Sequence, residues 1–414
     1  MNLTDILCDY SKYGELKQAL SSSPVSVSGV EEAARAQLIY SLFNEQNKHT
    51  LVICYSDMEA AALEADLSFY TDDVLVFPSK EYIFYNIETS GHDNENTRLS
   101  VVNSLSDGKK KIVIASLDAV LQYTIPPEKL KEYSIDINLG DTFDLHKLCE
   151  RLVIMGYSRE EIVEGEGQFA LRGGILDVFS PNYENPLRIE FFDDETDSVR
   201  LFDKVSQRSL DKINSAVIIP VREAVITNEK QSEIAKTLKK RIAKYADNEY
   251  FTEVTSAECE SLMEKRYFPS IDKYISLIYG EIPSLLDYFN DNNNIFIIDP
   301  KRICERGKTF EWEKNEIITE LKNKGVIGKD KDRYFVGYND ALGKMCKNTV
   351  ISLETLTHTS NDFKYKALVN FLTKTTLSFH GKLDYLYEDL RKWQKNGYTA
   401  VILAATRGRG ENLA

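Results

Sequence analysis

Along the first third of the chain, short apolar runs alternate with stretches of helical spacing. Residues 25–28, 51–55, 74–77 and 112–115 are apolar or β-branched runs. Between them, residues 30–43, 58–67 and 98–105 repeat apolar positions every three or four residues. Strands that are apolar throughout, alternating with helices, predict a parallel sheet covered on both faces. The pattern changes near Tyr133. Residues 144–155 read as one helix, and segments with period two follow, separated by turn residues. Residues 169–179 carry the pair Gly173–Gly174. Residues 187–192 run into a polar turn over 193–197, and residues 199–202 follow it. This spacing predicts an antiparallel β module of about 75 residues, inserted into the α/β domain.

From Ala216 the helical signal returns, with Ile234, Leu238 and Ile242 four residues apart. Residues 295–298 read as a strand and 303–321 as a long helix, while 334–374 carry a mixed pattern. Leu383, Leu386, Leu390 and Trp393 mark one helix face, closed by Gly397. Residues 400–404 then read as a strand, 406–410 as a Gly-rich turn and 411–414 as the first turn of another helix. A strand and one helix cannot bury a sheet, so the expectation is a chain cut inside a further α/β domain.

The composition narrows the function classes. With 414 residues the chain is long enough for two to four domains. Its formal charge of −14 argues against nucleic-acid binding over the whole surface, because phosphate contacts need a basic field. No run approaches the roughly 20 apolar residues of a membrane span. The first ten residues carry Asp5 and Asp9 and lack the basic region of a secretory signal. Cys8, Cys54, Cys149, Cys259, Cys304 and Cys346 form no CxxC pair. Scattered single cysteines predict a reducing, cytoplasmic setting. His49, His92, His146, His358 and His380 are isolated, which argues against a histidine metal site.

The turn after residues 25–28 stands where a nucleotide-binding loop would. The P-loop pattern is G-x-x-x-x-G-K-[ST]. Gly29 fits it. Ala34 replaces the second glycine, Arg35 the lysine and Ala36 the hydroxyl that would hold magnesium. Glu31 and Glu32 put negative charge where phosphate would bind. The reading is a P-loop ancestor that has lost its chemistry. A matching loss is expected at residues 295–300. This apolar strand ends in Asp299, as a Walker B strand does, but Pro300 takes the place of the carboxylate that would orient water. Asp193, Asp194 and Glu195 read as a solvated turn rather than catalytic carboxylates. Lys236, Lys239, Lys240, Arg241 and Lys244 make a basic helix face, read as solvated, with weak DNA contact as the alternative.

The hairpin strand at 187–192 is the stronger candidate. Alternation puts Leu187, Ile189 and Phe191 on one face and Arg188, Glu190 and Phe192 on the other. With the apolar set inward, Phe192 is exposed beside Arg188, and Arg172 joins them from the neighbouring strand. Arginine and aromatic side chains on one rigid strand are binding-anchor chemistry. In the alternative, Phe192 packs under a loop and the arginines pair with local acids. Both readings stay open on the residues alone.

Residues 167–179 (GQFALRGGILDVF) resemble a signature of the bacterial transcription-repair coupling factor (Mfd) family. So do residues 186–195 (PLRIEFFDDE), Phe202-Asp203 and Ser206-Gln207-Arg208-Ser209. Phe77-Pro78 with Glu81, Arg98-Leu99, and residues 269–289 and 406–414 are similar to flanking motifs of that family. The excinuclease subunit UvrB resembles it more loosely and keeps an intact P-loop.

The resemblance implies a degenerate helicase-like, P-loop NTPase-derived parallel-sheet domain, interrupted by a β-rich α+β insertion. The expected divisions are 1–132 and 210–330 for the two halves of that domain and 133–209 for the insertion. Residues 331–380 are expected as a mixed connecting region and 381–414 as the start of a further α/β domain. The resemblance also implies that the insertion recruits UvrA to stalled RNA polymerase, with Arg172, Arg188 and Phe192 as contacting residues and no catalytic residue. No cofactor is expected here. ATP, Mg²⁺, RNA polymerase and double-stranded DNA are expected to engage domains that this chain, a monomer in a bacterial cytoplasm, lacks. A UvrB-like nucleotide-dependent DNA-remodelling enzyme and a purely structural or autoinhibitory lobe remain the alternatives.

Overall fold

The computed structural model describes residues 7, 10–85, 93–266, 268–289, 292–355, 362–374, 379, 383–404 and 407–413. The readings at residues 1–6, Cys8, His92, His358, His380 and Thr406 lie outside them. The apolar runs form β1 (Val25–Ser28), β2 (Thr50–Cys54), β3 (Val74–Phe77) and β4 (Ile112–Ser116). Helices Glu32–Gln46, Asp57–Leu67 and Asp93–Ser104 lie between them. The second of these is capped by Ser56, whose hydroxyl accepts from Glu59 N–H. Eight short strands follow: β5 (Ile135–Asn138), β6 (Ser158–Arg159), β7 (Gln168–Arg172), β8 (Ile175–Val178), β9 (Leu187–Phe192), β10 (Glu195–Phe202), β11 (Ser209–Ile213) and β12 (Ser215–Ile218). The chain then supplies β13 (Asn294–Ile298), β14 (Thr349–Glu354) and β15 (Ala367–Asn370).

One parallel sheet of seven strands runs in the order β15-β1-β14-β13-β2-β4-β3. Its central strands are buried along their length, and separate apolar cores fill its two faces. Residues 331–380 are therefore not a connector. They supply β14, which lies between β1 and β13, and β15 at the sheet edge. β14 is buried on both faces, so its sequence lacks the alternation that marks a half-exposed strand. The expected strand at 400–404 does not form; those residues are irregular and largely exposed. Residues 407–410 fall in a helix, Arg407–Leu413, rather than a turn.

The inserted module is a second, separate sheet in the order β11-β10-β9-β8-β7-β6. Its inner face packs Phe169, Leu176, Leu187, Ile189 and Val199 against Leu148 and Leu152. The last two lie on helix Leu145–Ile154, which Asp144 caps by accepting from His146 and Lys147 N–H. β5 and β12 pair antiparallel, Ile135 opposite Ile218, so the module's pairing runs past residue 209. The hairpin turn is shorter than the expected 193–197. β10 already begins at Glu195, and Asp193 takes the left-handed conformation at φ 52°. The register slips between Thr196 and Ser198, and that bulge hides the strand's period.

Helix Asp93–Ser104 holds the module against the first sheet. Asn96 donates to Glu166 of the module at 3.0 Å, and Glu95 accepts from Glu223 N–H at 2.7 Å. Arg98, fully buried, donates from Nε to Glu223 Oε1 at 2.9 Å, from Nη1 to Pro78 O at 2.8 Å and from Nη2 to Tyr123 O at 2.7 Å. Lys80 Nζ reaches the other Glu223 oxygen at 2.8 Å.

His49 lies at the foot of the first sheet, its Nδ1 accepting from Lys111 N–H at 3.3 Å. Burial, aided by the Lys110 charge, pushes its pKa from 6.5 down to about 4. The folded state thus keeps the ring neutral while the unfolded chain takes up a proton. The contribution is complete above pH 6.5 and is lost as the pH falls toward 4, at up to about 1.4 kcal/mol per pH unit. His49→Gln is expected to flatten the stability profile in that window, measured by urea unfolding from pH 7 to 4. An unchanged slope would refute the assignment.

Candidate functional site

Strands β7, β8 and β9 present a continuous face opposite the module's core. Register places Arg188 opposite Asp177, Glu190 opposite Ile175, and Arg172 opposite Ile175 on the other side. Alternation then puts Arg172, Ile175, Asp177, Arg188, Glu190 and Phe192 on one face. Gly173 (φ 62°) and Gly174 close the β7–β8 turn. Gly174 O accepts from Phe191 N–H, and a Cβ on Gly174 would stand 2.7 Å from Phe191 O. The turn therefore packs directly against the end of β9 that carries Phe192.

Asp177 is the centre of this face, with none of its surface exposed. Arg188 grips it with two prongs, Nε to Oδ1 at 2.7 Å and Nη2 to Oδ2 at 2.9 Å. Arg172 Nη2 donates to the same Oδ2 at 2.5 Å, while its Nη1 donates to Glu161 O at 3.1 Å. Arg188 Nη1 donates to Gln207 O at 3.3 Å, and the guanidinium lies 4.4 Å over the Phe202 ring. The Asp177 carboxylate pushes the Arg188 pKa above its ordinary value. Arg200 and Ser198 both donate to Glu190 at 2.7 Å. Phe192, by contrast, is 77% exposed and Ile175 is 37% exposed. Both sequence readings hold in part: the arginines do pair with a local acid, and the aromatic ring does face outward. The rise of a strand puts Phe192 about 13 Å from Arg188.

Sequence reasoning singled out Arg172, Arg188 and Phe192 and missed Asp177, which the face is built around. The signal was present. Asp177 is a carboxylate between Leu176 and Val178, at the alternate position that faces away from the core.

The two segments set against nucleotide-binding motifs in the sequence also meet. Gly29 ends β1 and Asp299 follows β13, with β14 between them. Arg35 Nη2 donates to both Asp299 oxygens, at 3.1 and 3.2 Å. Arg302 lies 3.9 Å from Asp299 and is paired with Glu59. The carboxylate that would hold a cation is thus met by a guanidinium. Ala36 is buried and offers no hydroxyl, and Pro300 opens helix Pro300–Asn323. Gly29, at φ 73°, serves the sheet: a Cβ there would lie 2.0 Å from Phe371 O. Among the described residues no group of three or more His, Cys, Asp or Glu side chains is placed to hold a metal ion. No described helix is long and apolar enough to cross a membrane.

The remaining candidates are solvated or paired. Asp193 and Asp194 form the exposed tip of the β9–β10 hairpin. On helix Asn228–Lys244, Arg241 is bidentate to Asp332 at 2.6 and 2.8 Å and Lys244 meets Asp330 at 2.7 Å. Lys236, Lys239 and Lys240 are exposed.

Comparison with known proteins places a UvrB interaction domain at residues 135–223. That match runs from β5 to the residue bonded by Arg98. A transcription-repair-coupling factor of Bacillus subtilis is 31% identical over 400 residues, 94% of this chain and 34% of that protein. Those of Staphylococcus epidermidis and Staphylococcus haemolyticus are 26% and 27% identical over 99% of this chain and 36% of each protein. The chain spans about a third of the length of these relatives. The comparisons bear out the resemblance drawn from the hairpin motifs.

Proposed function

We propose, on the premise that this chain is a relative of the transcription-repair-coupling factors, that it is the part of such a factor that docks UvrA. The observation that carries the reading is the outward face of β7–β9: Phe192 exposed at one end and, on the same face, two arginines fixed by Asp177. A rigid strand with an aromatic ring and oriented guanidinium groups suits a protein anchor, because little side-chain entropy is lost on binding. The chain is proposed to contribute no ATP hydrolysis. Support for this is the Arg35–Asp299 pair, which occupies the place of the missing lysine and cation. ATP-driven movement and contacts with RNA polymerase and double-stranded DNA are proposed for other parts of such a protein.

The test is a calorimetric titration with purified UvrA. Wild type is expected to give saturable heat, and Phe192→Ala and Arg188→Ala are each expected to weaken binding by about 2 kcal/mol. ATP with Mg²⁺ is expected to give no saturable heat. Unchanged affinity in both variants would sink the site assignment, and saturable ATP binding would restore the nucleotide-dependent reading.

A further inference from the structure

We infer that Asp177 is a positioning residue for partner docking, holding Arg172 and Arg188 in the geometry that the partner meets. The inference rests on the reading that Arg188 and Phe192 contact UvrA, and it makes a claim of its own about the carboxylate beneath them. Asp177 has no exposed surface and accepts from both arginines: Arg188 through Nε and Nη2, Arg172 through Nη2. A carboxylate buried in a strand is costly unless it is paired, and here both arginines that pair it belong to the outward face. Three of the five Arg188 N–H groups are used within the module, two on Asp177 and one on Gln207 O. The two that remain lie on the terminal nitrogens and present a fixed pair of donors. The partner chemistry that fits them is a hydrogen-bond acceptor, either a carboxylate or a backbone carbonyl. Arg188 is further fixed by the Phe202 ring beneath it. A flexible cation would lose its rotamer freedom on docking; this one has lost it already.

Charge and positioning predict opposite signs for the removal of Asp177. By charge alone, Asp177→Asn adds one positive unit to the face and tightens binding to an acceptor-rich partner, most of all at low salt. If Asp177 positions the arginines, the same change weakens binding although the face becomes more positive.

The experiment measures the affinity and off-rate of the whole chain for UvrA, with wild type, Asp177→Asn, Arg188→Lys, Arg188→Ala and the Asp177→Asn/Arg188→Ala double variant. The expected results are about tenfold weaker binding by Asp177→Asn, mostly in the off-rate, and a smaller loss when it is added to Arg188→Ala, the remainder acting through Arg172. Arg188→Lys keeps the charge and loses the two-pronged grip, so it is expected to bind as weakly as Arg188→Ala. Equal or tighter binding by Asp177→Asn, or wild-type binding by Arg188→Lys, overturns the inference. If Asp177→Asn does not fold, Arg188→Lys decides. If Arg188→Ala and Phe192→Ala both bind as wild type does, the docking reading itself fails; if Arg188→Ala alone does, or only Asp177→Asn and Arg188→Lys do, the positioning role alone fails.

Discussion

Replacing Arg98 with methionine is expected to cost about 3–5 kcal/mol of folding stability, the largest effect of any single charge change proposed for this chain. The side chain is fully buried and its three nitrogens reach Glu223, Pro78 and Tyr123. Methionine fills much of the volume and restores none of these bonds. Two carbonyls lose a donor, and Glu223, also without exposed surface, is left with Lys80 as its cation among the described residues. The penalty comes mainly from the groups left behind rather than from the pair's own attraction. The double variant Arg98→Met/Glu223→Gln should therefore be less unstable than the two single losses summed, because it removes the stranded charge. Denaturant midpoints for the three variants check this. A loss below about 1 kcal/mol in Arg98→Met would show that water or a neighbouring group takes over the bonds. The same variants should loosen the grip of helix Asp93–Ser104 on residue 223, which follows the module.

Gly29→Ala is expected to cost about 3 kcal/mol or more, for a reason unrelated to phosphate. The left-handed backbone at φ 73° disfavours any side chain, and the new Cβ would stand 2.0 Å from Phe371 O. Phe371 follows β15, which hydrogen-bonds to β1, so the clash must displace the sheet edge. Gly108→Ala is the control. That glycine has φ 78° but open space where its Cβ would go, so only the conformational cost of about 1 kcal/mol applies. Urea unfolding of both variants separates strain from collision. Equal losses would mean that the sheet edge yields freely.

Gly29 shows what could be read from the sequence and what could not. Its place in a tight turn between an apolar strand and a helix was legible from the sequence. Its contact with Phe371 was not, because that partner lies more than three hundred residues away. The β-rich module was legible through its period of two, and the outward direction of Phe192 followed from Leu187, Ile189 and Phe191 pointing inward. Where a bulge interrupts the period, at Thr196–Ser198, the strand was mistaken for turn. β14 was unreadable for the opposite reason: buried on both faces, it gives no alternation to follow. Arg98 was legible only as part of a family motif, and its burial against Glu223 comes from the tertiary arrangement. Residues 400–404 have the composition of a strand, but among the described residues no strand pairs with them.

The order of strands in the large sheet also bears on how the chain is made. β1 pairs only with β14 and β15 among the described residues, so Val25 must wait for Ile351 and Ala367 to leave the ribosome. At roughly 5–20 residues per second that is an interval of tens of seconds, during which β1 and its following helix stay apolar and unpaired. The β-rich module has no such wait, since all of its pairings fall between residues 135 and 218. The β-rich module can therefore pair all its strands while the nascent lobe that carries it still has β1 unpaired.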